Sequence, residues 1–460
     1  MPIRKMILLA ALLAPGMAHA DSDNDESRRW AADAKRLAQP LIDADIVPSL
    51  VVGLYSEGHR EVYGFGSISK QEKKAPNGKT LFEIGSITKV FTGILLAEAL
   101  RREELKLDDP LAKFVPEGST APVYGEQKQP ITLLNLATHR SSLPRIPSNM
   151  AAADSDPYAN YDATKLFAFL SDYPLTNPPG SKFQYSNLGM GLLGHILATE
   201  QKTDYHTLLT DRIATPLGLT DTVVKLTAEQ KQRFATPHRN GKAVQPWEFQ
   251  ALCGCGGIRS TVDDLLKFIE QHMNVEESAL AEALPLAMKR QAERMGLGWF
   301  IAGDAVTYFH NGQTGGFSSG LFLSPGVKHG AVVLANGASG KVDVLAERLI
   351  QLLFGMDVDP PEIRKRLNLP TEQLQKLVGT YPSQAGFTIT ISVHRGDLYA
   401  QLTGQTAFRV FAETPTKFFY DGVDAELVFD LAKDAAQATA VTLLQNGLEL
   451  RCERAATKTE

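Results

Sequence analysis

The chain has 460 residues, 43% hydrophobic and 22% charged, which gives room for two domains with cores of their own and excludes a disordered or fibrous protein. A net charge of −5 with no basic block excludes the electrostatic footprint of a nucleic-acid binder. Three cysteines, Cys253, Cys255 and Cys452, are too few for a disulfide framework.

Arg4 and Lys5, the apolar run Met6–Leu13 and Ala18-His19-Ala20 have the order of a secretion signal, with cleavage expected after Ala20. No cysteine follows that position to take a lipid, and no later stretch is long and apolar enough to span a bilayer. The expectation is an exported protein, periplasmic in a cell with two membranes. Residues 26–41 place Trp30, Ala34, Leu37 and Leu41 at helical spacing. Ser49–Tyr55 and Glu61–Phe65 are predicted strands joined by a turn at Glu57-Gly58. A helix is expected from Ser86 to about Arg101, stopped by Leu107-Asp108-Asp109-Pro110.

From 111 to 250 the pattern is helices and long loops. One helical run, Thr132–Thr138, ends at His139-Arg140-Ser141-Ser142-Leu143-Pro144. A glycine-rich apolar helix follows Tyr185-Ser186-Asn187. Cys253-Gly254-Cys255 is compatible with a local disulfide, with a pair of buried small residues or with two soft metal ligands, and without a second ligand cluster it is weak support for a metal. Strand patterns return at Gly296–Phe300, Ala305–His310, Gly320–Leu323 and Gly330–Ala335, and Val342–Phe354 is a closing helix. Strands at both ends of one domain pack most simply in a single sheet with helices on it. The predicted organisation is a signal over 1–20, a main domain over 21–357, a linker over 358–366 and a second domain over 367–460. In that last part Thr388–His394 alternates strictly, and short strands recur to Glu453, the pattern of a small β-barrel or sandwich.

Chemistry gathers at three places. Ser86 and Lys89 are three residues apart at a predicted helix start, so hydroxyl and amine share one face of the first turn. A serine there can act as nucleophile, with the lysine taking or holding its proton. Tyr185 and Asn187 stand two apart on a Pro/Gly-bounded loop, so they point the same way if it is extended. His310-Asn311-Gly312-Gln313 closes a predicted strand and is followed by Thr314-Gly315-Gly316-Phe317, where glycines permit close backbone approach to a ligand. Trp247–Gln250 could line the same cleft. His139 and His195 have no partner that the sequence names.

Together these three motifs resemble the class C β-lactamases and related penicillin-binding proteins, in their order and rough spacing. The flanks Phe82-Glu83-Ile84-Gly85, Phe91-Thr92-Gly93, Leu107–Pro110, Ile131–Thr138 and Gly296-Leu297-Gly298-Trp299 are also similar to that family, over about residues 40 to 355. The resemblance implies an α+β fold, an antiparallel sheet flanked by helices plus an all-helical region. It implies Ser86 as the acylated nucleophile, Lys89 as its charge partner and Tyr185 as proton shuttle and base for the deacylating water. Asn187 would touch the substrate amide and Lys89. The backbone N–H groups of Ser86 and Gln313 would hold the oxyanion, and no metal or cofactor is needed. The implied substrate is a small β-lactam, hydrolysed through an acyl-enzyme. A peptidoglycan-type peptide cut by a D-Ala-D-Ala peptidase, or an ester, is the alternative, and a silent cell-wall binding module is the competing class. One departure stands out. The family's β-lactamases usually carry lysine, threonine and glycine where this chain has His310, Asn311 and Gly312, and histidine is a weaker carboxylate anchor because it is only partly charged near neutrality. The C-terminal β-domain also lies outside the compact β-lactamase pattern.

Overall fold

Six strands make the central sheet: β1 (Ser49–Ser56), β2 (His59–Gly66), β3 (Phe300–Ile301), β4 (Tyr308–Gln313), β5 (Ser318–Ser324) and β6 (His329–Ala335). In the computed structural model, which describes residues 22–69, 74–150, 156–364, 366–384, 386–394, 396–403, 407–420, 425–445 and 448–455, they lie in the order β2-β1-β6-β5-β4-β3, each pair antiparallel. The early and late strands thus share one sheet, as their sequence positions imply: β1 pairs Leu50 with Ala335 and Ser56 with His329. The expected signal at 1–20 lies outside the described residues.

The described helices include α1 (Ser22–Asp43), α2 (Thr88–Arg101), α3 (Leu133–Ala137), α4 (Ala163–Asp172), α5 (Asn187–Glu200), α6 (Val262–Met273) and α7 (Lys341–Leu353). Every residue of β1 is buried, as befits a strand covered on both faces. Gly53 and its cross-strand partner Val332 face α6, where a Cβ on Gly53 would stand 2.5 Å from Val262. Gly320, paired with Val333, faces the other way, and a Cβ there would stand 2.5 Å from Ala346 of α7. Because neighbouring residues of β6 alternate between faces, α6 and α7 cover opposite sides of the sheet. Helix α2 lacks a polar stripe: all twelve residues from Thr88 to Ala99 are buried. A helix apolar all round belongs in the middle of a core, and α2 packs against α5 and the Cys253–Cys255 turn. No helix among the described residues is long and apolar enough to cross a membrane.

The chain divides into two compact units after Pro361, inside the predicted linker. Within the second unit eight strands follow one another as a meander: β7 (Gly379–Pro382), β8 (Thr388–His394), β9 (Asp397–Leu402), β10 (Phe408–Ala412), β11 (Lys417–Tyr420), β12 (Ala425–Asp430), β13 (Ala440–Gln445) and β14 (Leu448–Glu453). A bridge between Ser383 and Cys452, with the Ala455 N–H donating to the Thr380 carbonyl at 2.8 Å, brings the last strand back to the first. The result is a nearly closed barrel rather than a sandwich. Its interior is filled by Tyr381, Ile389, Ile391, Leu398, Val410, Phe418, Leu427 and Phe429 among others. Strand β7 and a short helix at Thr371–Gln375 escaped the periodicity, being too short to show one.

Candidate active site

The segment before α2 differs from the expected helix start. Gly85–Ile87 forms a single 3₁₀ turn, and α2 begins only at Thr88. Ser86 is therefore not a helix cap, and its hydroxyl stays available to Lys89. Gly85 has φ +50°, a left-handed backbone open to glycine, and a Cβ there would lie 2.7 Å from the Gln313 nitrogen. That close approach brings the end of β4 beside Ser86. The Ser319 hydroxyl fastens the same junction by donating to the Ile84 carbonyl at 2.8 Å.

Lys89 is fully buried. Its ammonium donates to Ser86 Oγ at 2.9 Å and to the Cys255 carbonyl at 2.7 Å, and stands 4.9 Å from the centre of the Tyr185 ring. Among the described residues it has no carboxylate partner. Its three hydrogens thus meet a hydroxyl, a carbonyl and a ring face, which is the full donor capacity of the group. The Cys253–Cys255 turn has a role that its sequence did not announce. Both thiols are free and buried, the Cys255 thiol pushed up to about 11 by burial, and the turn works through its backbone. The Cys255 carbonyl orients Lys89, and the Gly254 carbonyl accepts from Thr92 Oγ1 at 2.7 Å.

Tyr185 precedes α5, whose N-cap is Ser186: its hydroxyl accepts from the Gly189 N–H at 2.8 Å and donates to the Pro144 carbonyl at 2.7 Å. His139 holds this loop from both sides. Its carbonyl accepts from Gln184 N at 2.7 Å and its Nδ1 accepts from Ser186 N at 3.1 Å, while the ring lies 4.4 Å from the Tyr185 ring. His139 is thus a positioning residue with partners that the sequence did not name. Accepting at Nδ1 requires an uncharged ring, and burial, then the Lys89 charge, holds its pKa well below the usual histidine value.

Asn187 departs from expectation. Its Nδ2 donates to the Tyr158 hydroxyl at 2.9 Å rather than meeting Lys89, whose hydrogens are taken by Ser86 and Cys255. Its buried Oδ1 meets no donor among the described residues, an acceptor that a substrate N–H can satisfy. Tyr158 stacks on Phe249 at 4.5 Å and leans on Trp247 at 5.4 Å. Trp247 and Phe249 thus form an aromatic wall beside Asn187, where the sequence had only suggested cleft residues.

The third motif divides across β4. The His310 ring is completely buried, with Nδ1 at 2.6 Å from the Asn311 carbonyl and 5.1 Å between its centre and that of Phe300. Burial, reinforced by the Lys89 charge, lowers its pKa to about 3. His310 is accordingly neutral across the physiological range and is not a cationic carboxylate anchor, which corrects the partly charged histidine expected from sequence. The Asn311 side chain is also not on the site: its Nδ2 donates to Asp343 of α7 at 3.1 Å, on the opposite face of the strand from His310. Gly312 and Gln313 contribute backbone, since a Cβ on Gly312 would lie 2.0 Å from the Ile84 carbonyl.

Burial leaves a signature in stability. His272 and His310 are brought down to about 4 and about 3, and His139 falls well below its usual 6.5, so the unfolded chain takes up protons first as pH drops. Their stabilisation is complete above pH 6.5 and drains away below it, towards the folded values. Glu83 opposes them. Burial raises its carboxyl to about 7, so its contribution is lost as pH rises from 4.5 through 7. With four histidines lowered, His195 included, against the raised carboxyls of Glu83, Asp156 and Asp264, the urea midpoint should fall between pH 6.5 and 4.5, and His310→Asn should flatten the fall. A midpoint constant over that window would contradict the neutral buried rings.

A buried lysine on a serine hydroxyl, a tyrosine ring against that lysine and a strand end beside the serine together have the parts of a serine hydrolase. The family model described as Beta-lactamase matches residues 34–354, and the chain belongs to that family. A second model, a domain of unknown function named DUF3471, matches residues 364–454, which is the barrel. The chain is 27% identical over 342 residues to the beta-lactamase of Escherichia coli K12, a match covering 65% of this chain and 87% of that protein. It is 28% identical over 300 residues to the D-alanyl-D-alanine-carboxypeptidase/endopeptidase AmpH of the same strain, covering 60% and 77%. A crystal structure of the beta-lactamase/D-alanine carboxypeptidase of Yersinia pestis, complexed with citrate, superposes with a TM-score of 0.62 at 24% identity, covering 72% of this chain and 98% of that one, and supports the fold.

Proposed function

We propose that the enzyme hydrolyses the amide bond of a β-lactam through an acyl-enzyme on Ser86. The observation that carries this is the 2.9 Å contact from Lys89 Nζ to Ser86 Oγ, with the Tyr185 ring 4.9 Å from the same nitrogen. In this reading Tyr185 takes the serine proton as Oγ attacks the carbonyl carbon. The oxyanion rests on the Ser86 and Gln313 N–H groups. The proton passes to the leaving nitrogen, and Tyr185 then draws a proton from the water that releases the acyl group. Export to the periplasm belongs to the same reading, because the first twenty residues have the order of a secretion signal.

A second reading, a D-Ala-D-Ala peptidase trimming peptidoglycan-type peptides, draws support from the 28% identity to the carboxypeptidase/endopeptidase AmpH. In such an enzyme a penicillin acylates the serine but is released slowly. Intact-protein mass spectrometry with a penicillin separates the two. The expected outcome is one adduct on the wild type that clears within minutes, and none on Ser86→Ala. An adduct persisting for hours would overturn the lactamase in favour of the peptidase, to be assayed next on D-Ala-terminated muropeptides. Absence of any adduct would remove both.

A further inference from the structure

With His310 buried and neutral, one cation besides Lys89 lies against Tyr185 among the described residues. The Arg145 guanidinium lies 5.1 Å from the centre of the Tyr185 ring. Its side chain is exposed, and among the described residues no carboxylate pairs with it. Its backbone, in contrast, is firmly placed. The Asn187 and Leu188 N–H groups both donate to the Arg145 carbonyl, at 2.9 and 3.2 Å, and Ser186 Oγ donates to the carbonyl of Pro144 just before it. The segment carrying Tyr185 and Asn187 therefore fixes where Arg145 starts, and the side chain returns over the ring of Tyr185.

The position has a sidedness. The Arg145 carbonyl takes the Asn187 N–H, and the Asn187 amide in turn donates to the Tyr158 hydroxyl at 2.9 Å. Arg145 therefore approaches Tyr185 from the Asn187–Tyr158 side. The buried, unpartnered Asn187 Oδ1 marks that side as the place of the substrate's acyl amide. A planar guanidinium with no carboxylate partner among the described residues is suited to grip a carboxylate with two parallel hydrogen bonds.

We propose that Arg145 is a specificity-determining residue, selecting acyl groups that carry a free carboxylate close to the scissile carbonyl. This rests on the reading of Ser86 as the acylated nucleophile. Benzylpenicillin and carbenicillin form a suitable pair of probes, because carbenicillin has one additional carboxylate, on its acyl side chain. The measurement is the second-order rate constant for acylation of the full-length protein by each. Arg145→Gln is expected to slow carbenicillin by roughly tenfold or more, as loss of a charge-assisted pair does, with benzylpenicillin changed by less than about threefold. Arg145→Lys should recover part of the loss, and added salt should narrow the wild-type preference for carbenicillin. Equal slowing of both probes would overturn the proposal and make Arg145 a support for Tyr185. No change with either would overturn it as well. Ser86 acylated with no discrimination defeats Arg145 alone, whereas no acylation of Ser86 by either probe defeats the underlying mechanism and this proposal with it.

Discussion

Lys89→Met is expected to slow acylation of Ser86 by roughly 10²–10⁴-fold, the range for loss of a positioned proton-handling group. Methionine nearly keeps the length of the side chain but returns no hydrogen to Ser86 Oγ or to the Cys255 carbonyl, which receive theirs at 2.9 and 2.7 Å. The consequence for stability should be small, because two terms oppose. Leaving the Cys255 carbonyl unsatisfied costs about 1–3 kcal/mol, while removing a buried amine relieves a desolvation penalty of similar size. The diagnostic result is thus a collapsed single-turnover rate beside a nearly unchanged melting temperature. A variant that acylates at the wild-type rate would show that Lys89 only fills space. One that fails to fold would show that its two contacts carry the local structure instead.

Gly312→Ala should damage both fold and chemistry. The added methyl would stand 2.0 Å from the Ile84 carbonyl and 2.4 Å from Ser319 Oγ, the two atoms whose hydrogen bond joins β4 to the Ser86 turn. The Ile84 carbonyl is backbone and cannot rotate away, and the Ser319 hydroxyl can do so only by breaking its bond to that carbonyl. Overpacking of this kind costs about 1–3 kcal/mol. The strand must draw back, carrying the Gln313 N–H away from Ser86, and with that N–H as the proposed oxyanion donor turnover should slow by roughly 10²–10³-fold. Gly326→Ala is the control: it lies in a surface turn with nothing within 4 Å of an added Cβ, and should leave both readouts unchanged. Equal behaviour of the two variants would mean that the β4 junction tolerates separation and plays no part in catalysis.

The parts of this enzyme that sequence made legible are those encoded by local spacing. A spacing of three from Ser86 to Lys89 brings hydroxyl and amine together even though the helix begins two residues late, because a 3₁₀ turn also returns the chain within three residues. The alternation at Thr388–His394 appears again in its burial, with Ile389 and Ile391 facing inward. What sequence hid is of two kinds. Backbone acceptors such as the Cys255 carbonyl carry no residue signature, so Cys253-Gly254-Cys255 invited attention to its thiols instead. Burial depends on distant packing: nothing near His310 in the chain says that Phe300 and Tyr185 will close over it, yet that closure decides its charge. Asn187 turned from Lys89 to Tyr158 for the same reason, since its partner lies in a separate loop.

The pairing of Leu50 with Ala335 also sets a timetable. A ladder between segments so far apart in sequence pays a large loop-closure entropy before any contact repays it, and such topologies fold slowly. As the chain is made, Ser86 and Lys89 emerge early and can approach each other within one turn of helix. Gln313 emerges much later, on a strand that needs β5 and β6 beside it. A nascent or truncated chain would therefore hold Ser86 and Lys89 without the core that buries α2, the Cys255 carbonyl that orients the lysine or the strand end at Gln313, so the parts of the site meet only when the sheet closes.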